Sequence, residues 1–250
     1  MPTRLLVWSL ITASFLLSGG GCNRQNSESS QEKMLSRLAV FGDWFVDLAD
    51  IVQERYGPPG EGHTRRAGWR ALLCTTMPAI DLPVYDKNSA WDSDHYEALF
   101  SHDFAIGYQL GTAGAEDDFS PDILAATGPG TAFDAICHSG SEALEDIPHD
   151  TVLLIAAELP DVHWMQAKDL EASRYLASSG DAHSELPESP TSIGRLVYFM
   201  DGEAWLLDPK TPVASLLRFI TIEGADRHDR DNVLGSHLLH RVTRDSCDEG

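Results

Sequence analysis

The stretch RLVYFMDGEAWLL, residues 195–207, predicts a β-hairpin. Two apolar runs, 196–200 and 204–207, flank the pair Asp201 and Gly202. An Asp-Gly pair between apolar runs favours a tight two-residue turn, because both turn positions take a positive φ that these residues tolerate. The stretch therefore indicates two neighbouring antiparallel strands, and the rest of the fold is built around them.

The segments around this hairpin predict a strand before it and a helix after it. TVLLIAAEL, residues 151–159, is a continuous apolar run typical of a buried strand. Residues 211–224 predict a C-terminal helix, with Thr211 as its N-cap and Pro212 at its first position. Residues 226–250 are charged and rich in histidine, and we expect a partly disordered tail there.

A long amphipathic helix is predicted near the N-terminus, with its apolar seam between residues 34 and 52. Ser29 and Glu32 form a candidate capping box, and the Gly-Pro run from Gly57 ends the helix. A shorter helix is predicted at 67–77. The seam residues recur every three or four positions: Met34, Leu38, Phe41, Phe45, Leu48 and Val52. Without βαβ alternation, the pattern predicts an α+β fold with this helix packed on an antiparallel sheet, long loops and a short C-terminal helix.

The first residues resemble an export signal rather than part of the fold. An apolar run at 5–17 follows Arg4 and is too short to span a bilayer of about 30 Å as a helix. Small residues then lead to Cys22, as at a lipoprotein processing site, although plain secretion is the alternative. We expect a cleaved signal at 1–21, a lipid anchor at Cys22 with a tether to residue 33, and one domain at 34–225.

Composition narrows the classes of partner and the compartment. The formal net charge of -21 argues against nucleic acid and against electrostatic docking on an anionic membrane, since both need a basic face. Hydrophobic residues make up 42% of the chain, which is ordinary for a folded protein with a core. Three cysteines remain after Cys22, at Cys74, Cys137 and Cys247. One pair could form a disulfide in an oxidising compartment, and the sequence does not choose which.

Several segments, in order, resemble the planctomycete domain of unknown function 1559 family. These are exported proteins with a pilin-like N-terminal helix, also described as solute-binding-protein-like. The matching segments are ERYGPPGEG, GWRALLCTTMPAIDLPVYDKNSAWD, GPGTAF, TVLLIAAELPDVHWMQAKDL and the Asp-Gly hairpin. The resemblance implies an envelope-associated protein of pilin-like α+β fold, without an established activity. The chain departs from the family at Thr191, where a histidine is usual, and in lacking a retained hydrophobic N-terminal helix and a Cys-Pro segment before GPGTAF.

One candidate ligand or partner surface lies between two tryptophans. Its residues are Trp69, Arg70, Tyr85, Trp91 and Asp92. Such a set can stack a sugar or hold a cation over an aromatic ring. The favoured interpretation is architectural: the aromatic rings close one end of the sheet, and Arg70 pairs with Asp86 or Asp92.

Weaker candidates for catalytic or metal-binding residues lie elsewhere in the chain. Glu158 and His163 follow the predicted buried strand and could form a general base or a metal site. The alternative is a surface histidine beside a hydrogen-bonded carboxylate. Residues 226–232 resemble half of a calcium loop but lack its glycine and closing glutamate. GPGTAF, residues 128–133, predicts a tight loop with positive φ, neither following a clear strand nor binding phosphate. We assign no catalytic, cofactor or metal residues.

Three hypotheses about function follow. The leading one is a non-enzymatic, envelope-anchored protein acting in surface structure, assembly or secretion, by presenting its loops to envelope proteins or to other copies of itself. The second is a periplasmic sugar- or solute-binding module that uses Trp69 and Trp91. The third is a hydrolase or metal-dependent enzyme centred on Glu158 and His163.

Overall fold

A computed structural model describes residues 30–58, 65–76, 82–100, 110, 120–159, 161–176 and 186–243. At its centre lies a six-stranded sheet in the order β3-β1-β2-β4-β5-β6. Every neighbouring pair is antiparallel except β1 and β3, which run parallel. The strands are β1 (Ile123–Thr127), β2 (Val152–Ala156), β3 (Leu170–Glu171), β4 (Arg195–Phe199), β5 (Ala204–Leu207) and β6 (Leu238–Val242).

Short helices surround this sheet, and one long helix begins the described chain. The α-helices are α1 (Ser30–Asp47), α2 (Ala49–Ile51), α3 (Trp69–Thr75), α4 (Ala132–Ser139), α5 (Ala172–Leu176), α6 (Val213–Leu217), α7 (Ile222–Asp226) and α8 (Arg230–Leu234). A π-helical turn, Val52–Tyr56, continues α2, and 3₁₀ turns occupy Asp94–Leu99, Gly140–Glu145 and Gly235–His237.

The N-terminal helix packs on one face of the sheet, which confirms the predicted α+β fold. Four seam residues are buried, and Met34 and Leu48 pack partly buried against the same core. Gly42 lets α1 approach the sheet closely, because a Cβ there would lie 2.3 Å from the Tyr198 ring. The helix runs from Ser30, is interrupted at Leu48 and ends at Gly57, where φ is +65°. Ser29 of the predicted capping box lies outside the described residues.

The opposite face of the sheet is covered by the C-terminal helices. Here the predicted single helix at 211–224 is wrong, since α6 ends at Leu217 and α7 begins after Thr221. The break between them has two physical reasons. Both Phe219 and Ile220 are buried, and the Phe219 carbonyl accepts a 2.8 Å hydrogen bond from the Val152 N–H at the start of β2.

The Asp-Gly hairpin is confirmed as β4 and β5, although its turn differs from the prediction. Only Gly202 takes a positive φ, at +86°. The Phe199 N–H donates to the Glu203 carbonyl, and the Gly202 N–H donates to the Phe199 carbonyl. The connection is therefore longer than a two-residue turn with two positive φ values.

The predicted partly disordered tail, residues 226–250, is ordered over residues 226–243, which include α8 and the edge strand β6. Arg230 anchors this segment: its guanidinium lies 2.5 Å from Asp201 and 3.1 Å from Glu203. The same group stacks 4.4 Å from the Phe199 ring centre. A charged composition indicates a solvated segment, but the charge of Arg230 is compensated inside the fold.

A strand and a helix around GPGTAF escaped the sequence analysis. The loop follows β1 and precedes α4, contrary to the expectation that no clear strand comes before it. Its positive φ values are confirmed at Gly128 (+112°) and Gly130 (+79°). Thr131 caps α4, because its hydroxyl accepts a hydrogen bond from the Asp134 N–H.

Cys74 and Cys137 are free, buried thiols. Of the possible pairings, these two cysteines therefore do not form a disulfide with each other. Cys247 lies outside the described residues, as do the signal, Cys22 and most of the tether.

Candidate functional site

The candidate surface between the two tryptophans is mostly interior. The Trp69 and Arg70 side chains are fully buried, and Arg70 uses all five of its guanidinium N–H groups. It donates to the carbonyls of Trp164, Ile123, Gln166 and Lys168, at 2.7 to 3.2 Å, and to the Asp169 carboxylate at 2.7 Å. A fully saturated guanidinium has no N–H left for a ligand. Arg70 therefore holds the fold together.

Asp169 completes this buried ion pair and corrects the predicted partner of Arg70. A single oxygen, Oδ1, accepts hydrogen bonds from the Trp69 indole N–H, the Arg70 guanidinium and the Ala125 N–H of β1. The pair joins α3, β1 and the loop before β3. The expected partners are engaged elsewhere: Asp92 pairs with Arg65, and Asp86 closes a turn by accepting from Asn88 and Ser89.

Tyr85 is also buried rather than part of a surface. Its hydroxyl donates a 2.7 Å hydrogen bond to the Ala67 carbonyl. Burial strongly raises the pKa of this phenol, because the phenolate would be stripped of water. Of the residues expected to form a ligand surface, Trp69, Arg70 and Tyr85 are therefore buried, and the ring of Trp69 is not available to stack a sugar or solute.

Asp92 is exposed, whereas Trp91 is half-buried in an aromatic cluster that includes His163 of the loop before β3. The Trp91 ring stacks on His163, with centroids 4.7 Å apart and planes at 22°, and Phe100 packs against both. Burial lowers the pKa of His163 to about 4, so its imidazole is neutral at neutral pH. Its Nδ1 accepts from the Met165 N–H. We call Trp91, Phe100 and His163, together with the exposed Val84 earlier in the loop that carries Trp91, the edge cluster.

Glu158 and His163 have separate environments. Glu158 is exposed, and its backbone N–H donates to the Glu188 carbonyl. His163 belongs to the edge cluster. Among the described residues, no group of three or more His, Cys, Asp and Glu side chains is placed to hold a metal ion.

A cavity of about 310 Å³ lies on the sheet face opposite α1, between the loop 186–194 and α6. Its lining includes the apolar side chains of Leu207 and Leu216, the hydroxyls of Ser189 and Thr191, and Arg195 at the start of β4. Arg195 shares its face of β4 with Val197 and Phe199, because side chains alternate along a strand. The sequence analysis missed this cavity. The sequence did contain a signal, because Arg195 alternates in step with the inward-facing residues Val197 and Phe199 of an apolar strand.

The Arg195 guanidinium is incompletely hydrogen-bonded. One terminal nitrogen, Nη2, donates to the Pro187 carbonyl at 2.9 Å. The other, Nη1, is buried and has no hydrogen-bond partner in the described structure. Burial lowers the pKa of this group, because the charged form has lost water. A buried N–H without a partner is costly, and Arg195 lines the cavity, so an acceptor bound beside its guanidinium would lower that cost.

The fold and these sites define an α+β protein with one saturated ion pair, one aromatic edge cluster and one cavity containing an unsatisfied arginine. None of the helices in the described ranges is both long and apolar enough to cross a membrane. Comparisons with protein-family models, curated proteins and solved structures find no match.

Proposed function

We propose that the chain is an exported, envelope-tethered and non-catalytic domain that presents the edge cluster to a partner away from the membrane. One observation carries this proposal. The start of α1, which the tether joins, lies beside β6, whereas His163 of the edge cluster lies in the loop that leads to β3, at the opposite edge of the sheet.

The tethered edge is defined by contacts of α1. Near its start, Glu32 lies 3.8 Å from His240 on β6. Further along, Asp43 accepts a 2.6 Å hydrogen bond from the Tyr198 hydroxyl on β4. The helix therefore crosses the sheet away from β6. Seven residues separate Cys22 from Ser30, and a chain of that length reaches at most about 25 Å.

The presenting edge is defined by the loops beside β3. Short bridges join Arg66 to Ala90 and Ala67 to Gln166, which hold the loop 82–100 against the loop before β3. Val84 in that loop is 70% exposed. Six strands spaced about 4.8 Å apart place the two sheet edges roughly 24 Å from each other.

The buried ion pair gives this edge a rigid base. Trp69, Arg70 and Asp169 fix α3 and the β3 loop to β1, so the exposed parts of the edge cluster stand on a supported platform. Half-buried aromatic rings beside the exposed Val84 on such a platform are typical of protein interaction surfaces. The family resemblance supports the same class of role.

Lipid attachment is tested with a Cys22→Ser variant. We expect the native chain to incorporate an alkyne-palmitate label and to leave the membrane fraction only with detergent. The variant should lose the label and be released without detergent. Cys247→Ser is the matched control and should behave like the native chain. A Cys22→Ser protein that still needs detergent for release would refute anchoring at this cysteine.

The orientation is tested separately by fluorescence quenching. Val84→Cys and Leu239→Cys, each in a Cys247→Ser background, place one dye at either edge of the sheet; these side chains are 70% and 52% exposed. In the lipidated protein on vesicles with nitroxide-labelled headgroups, the dye at 239 should be quenched more strongly than the dye at 84. Equal or reversed quenching would contradict presentation of the β3 edge.

A further inference from the structure

The cavity beside Arg195 is independent of the tether and of the edge cluster. It lies on the sheet face covered by the C-terminal helices, at the end of the sheet where β4 begins and β5 ends. Its volume of about 310 Å³ is at the small end of the range for small-molecule sites, roughly 300–1,000 Å³. The cavity therefore fits only a small molecule.

Arg195 has no carboxylate within ion-pair distance in the part of the chain that the structure describes. No ion pair among the described residues includes it. Of the buried arginines, Arg70 and Arg230 each reach at least one carboxylate, and Arg66 stacks over the Tyr56 ring. A partly buried guanidinium with one unpartnered nitrogen is complemented best by a carboxylate, whose oxygens match the planar donors.

The loop 189–194 shapes the cavity with its own hydroxyls. Ser189 and Thr191 both donate to the Gly194 carbonyl, at 2.6 and 3.0 Å. Gly194 has no room for a side chain, because a Cβ there would lie 2.2 Å from the Leu207 carbonyl oxygen. The loop is thus fixed against β5, and the cavity is held open by the fold.

Two carboxylates also line the cavity. Glu188 is exposed, and Asp208 is half-buried with its Oδ1 accepting from the Lys210 N–H. Two negative groups near one positive group disfavour a dianion such as phosphate. They favour a ligand that carries a cationic group together with its carboxylate.

The apolar part of the lining completes the description of the ligand. Leu186, Leu207, Val213 and Leu216 form a nonpolar wall, which gains free energy by covering a hydrocarbon side chain. We propose that this cavity binds a free α-amino acid with an apolar side chain. The carboxylate of the amino acid pairs with Arg195, its ammonium faces Glu188 and Asp208, and its side chain packs on the nonpolar wall.

Isothermal titration of the purified chain with L-leucine tests this proposal directly. We expect saturable binding at millimolar or lower concentration. Leucinol, which lacks the carboxylate, and isocaproate, which lacks the ammonium, should each bind at least about tenfold more weakly, the scale of one charge-assisted hydrogen bond. Absence of saturable L-leucine binding would overturn the proposal, and so would equal binding of leucinol. Equal binding of isocaproate would overturn the assignment of an amino acid.

A matched pair of variants locates the binding. Arg195→Gln should weaken L-leucine binding about ten- to a hundredfold. Arg218→Gln removes the same charge from an exposed position outside the cavity lining and should leave binding unchanged. Near-UV circular dichroism verifies that both variants are folded. If a variant fails to fold, leucinol and isocaproate still test the proposal, because they are measured with the native chain. Equal affinities of the two variants would place the binding elsewhere and overturn the site.

Discussion

Replacing Asp169 by Asn tests the buried ion pair that supports the β3 edge. The side chains of Arg70 and Asp169 are 0% and 4% exposed, and their closest atoms are 2.7 Å apart. The substitution keeps an oxygen for the Trp69 and Ala125 N–H groups but leaves the guanidinium charge uncompensated. Removing one partner of a buried pair costs about 3–5 kcal/mol. For a domain of this size the melting temperature should fall by about 6–20 °C.

The measurement is urea unfolding followed by tryptophan fluorescence and by circular dichroism, which should give coincident transitions. Asp92→Asn is the matched control. It breaks an Arg–Asp pair of nearly the same length, 2.8 Å, whose side chains are 75% and 36% exposed. An exposed pair contributes about 0–1 kcal/mol, so this variant should unfold close to the native chain. Equal losses for the two variants would show that burial does not decide the strength of these pairs.

The double variant Arg70→Met/Asp169→Asn separates the ion pair from packing. Without the guanidinium, Asp169→Asn no longer leaves a buried charge uncompensated. The substitution should therefore lower the free energy of unfolding less in the Arg70→Met chain than in the native chain. We expect a coupling free energy of about 1–3 kcal/mol from the double-mutant cycle. A coupling near zero would refute the assignment of a stabilising interaction between these two side chains.

Three further predictions concern packing, pH and thiol access. Gly42→Ala should lower the free energy of unfolding by about 2 kcal/mol, because the clash with the Tyr198 ring outweighs a gain in helix propensity of about 1 kcal/mol; a stabilised variant in urea titration would contradict the close packing. Burial lowers the His163 pKa from 6.5 to about 4. Between these two pH values His163 binds a proton in the unfolded chain but not in the folded chain, so the free energy of unfolding falls as the pH drops through this window. In His163→Asn, part of that loss should disappear when urea midpoints at neutral pH and within the window are compared. Burial raises the pKa of the Cys137 thiol, so a maleimide should modify it only as the chain unfolds; rapid modification of the native protein, read by mass spectrometry, would exclude a buried thiol.

Local patterns were enough for the long elements of the fold. The three- and four-residue spacing from Met34 to Val52 predicted the helix and its buried face, and the apolar run before Glu158 predicted β2. The Asp-Gly pair predicted β4 and β5. Its turn geometry was missed because the hydrogen bond between the Phe199 N–H and the Glu203 carbonyl sets the loop length.

Segments whose order depends on distant partners could not be predicted in the same way. The charged C-terminal segment resembled a tail, yet Arg230 meets Asp150 before β2 and Asp201 and Glu203 between β4 and β5, all of them distant along the chain. Likewise, the sequence placed Arg70 near Asp86 or Asp92, whereas its partner is 99 positions away at Asp169.

The sequence by itself determined the α+β class, the helix that covers the sheet and the hairpin at its centre, because hydrophobic periodicity is a property of neighbouring residues. Only the tertiary structure decided which charges are satisfied. It buried Trp69 and Arg70, left Trp91 half-buried and placed Arg195 beside a cavity, without an ion-pair partner among the described residues. The physical reason is that compensation of a buried charge depends on which groups the fold brings within a few ångströms, and that distance is unrelated to separation along the chain.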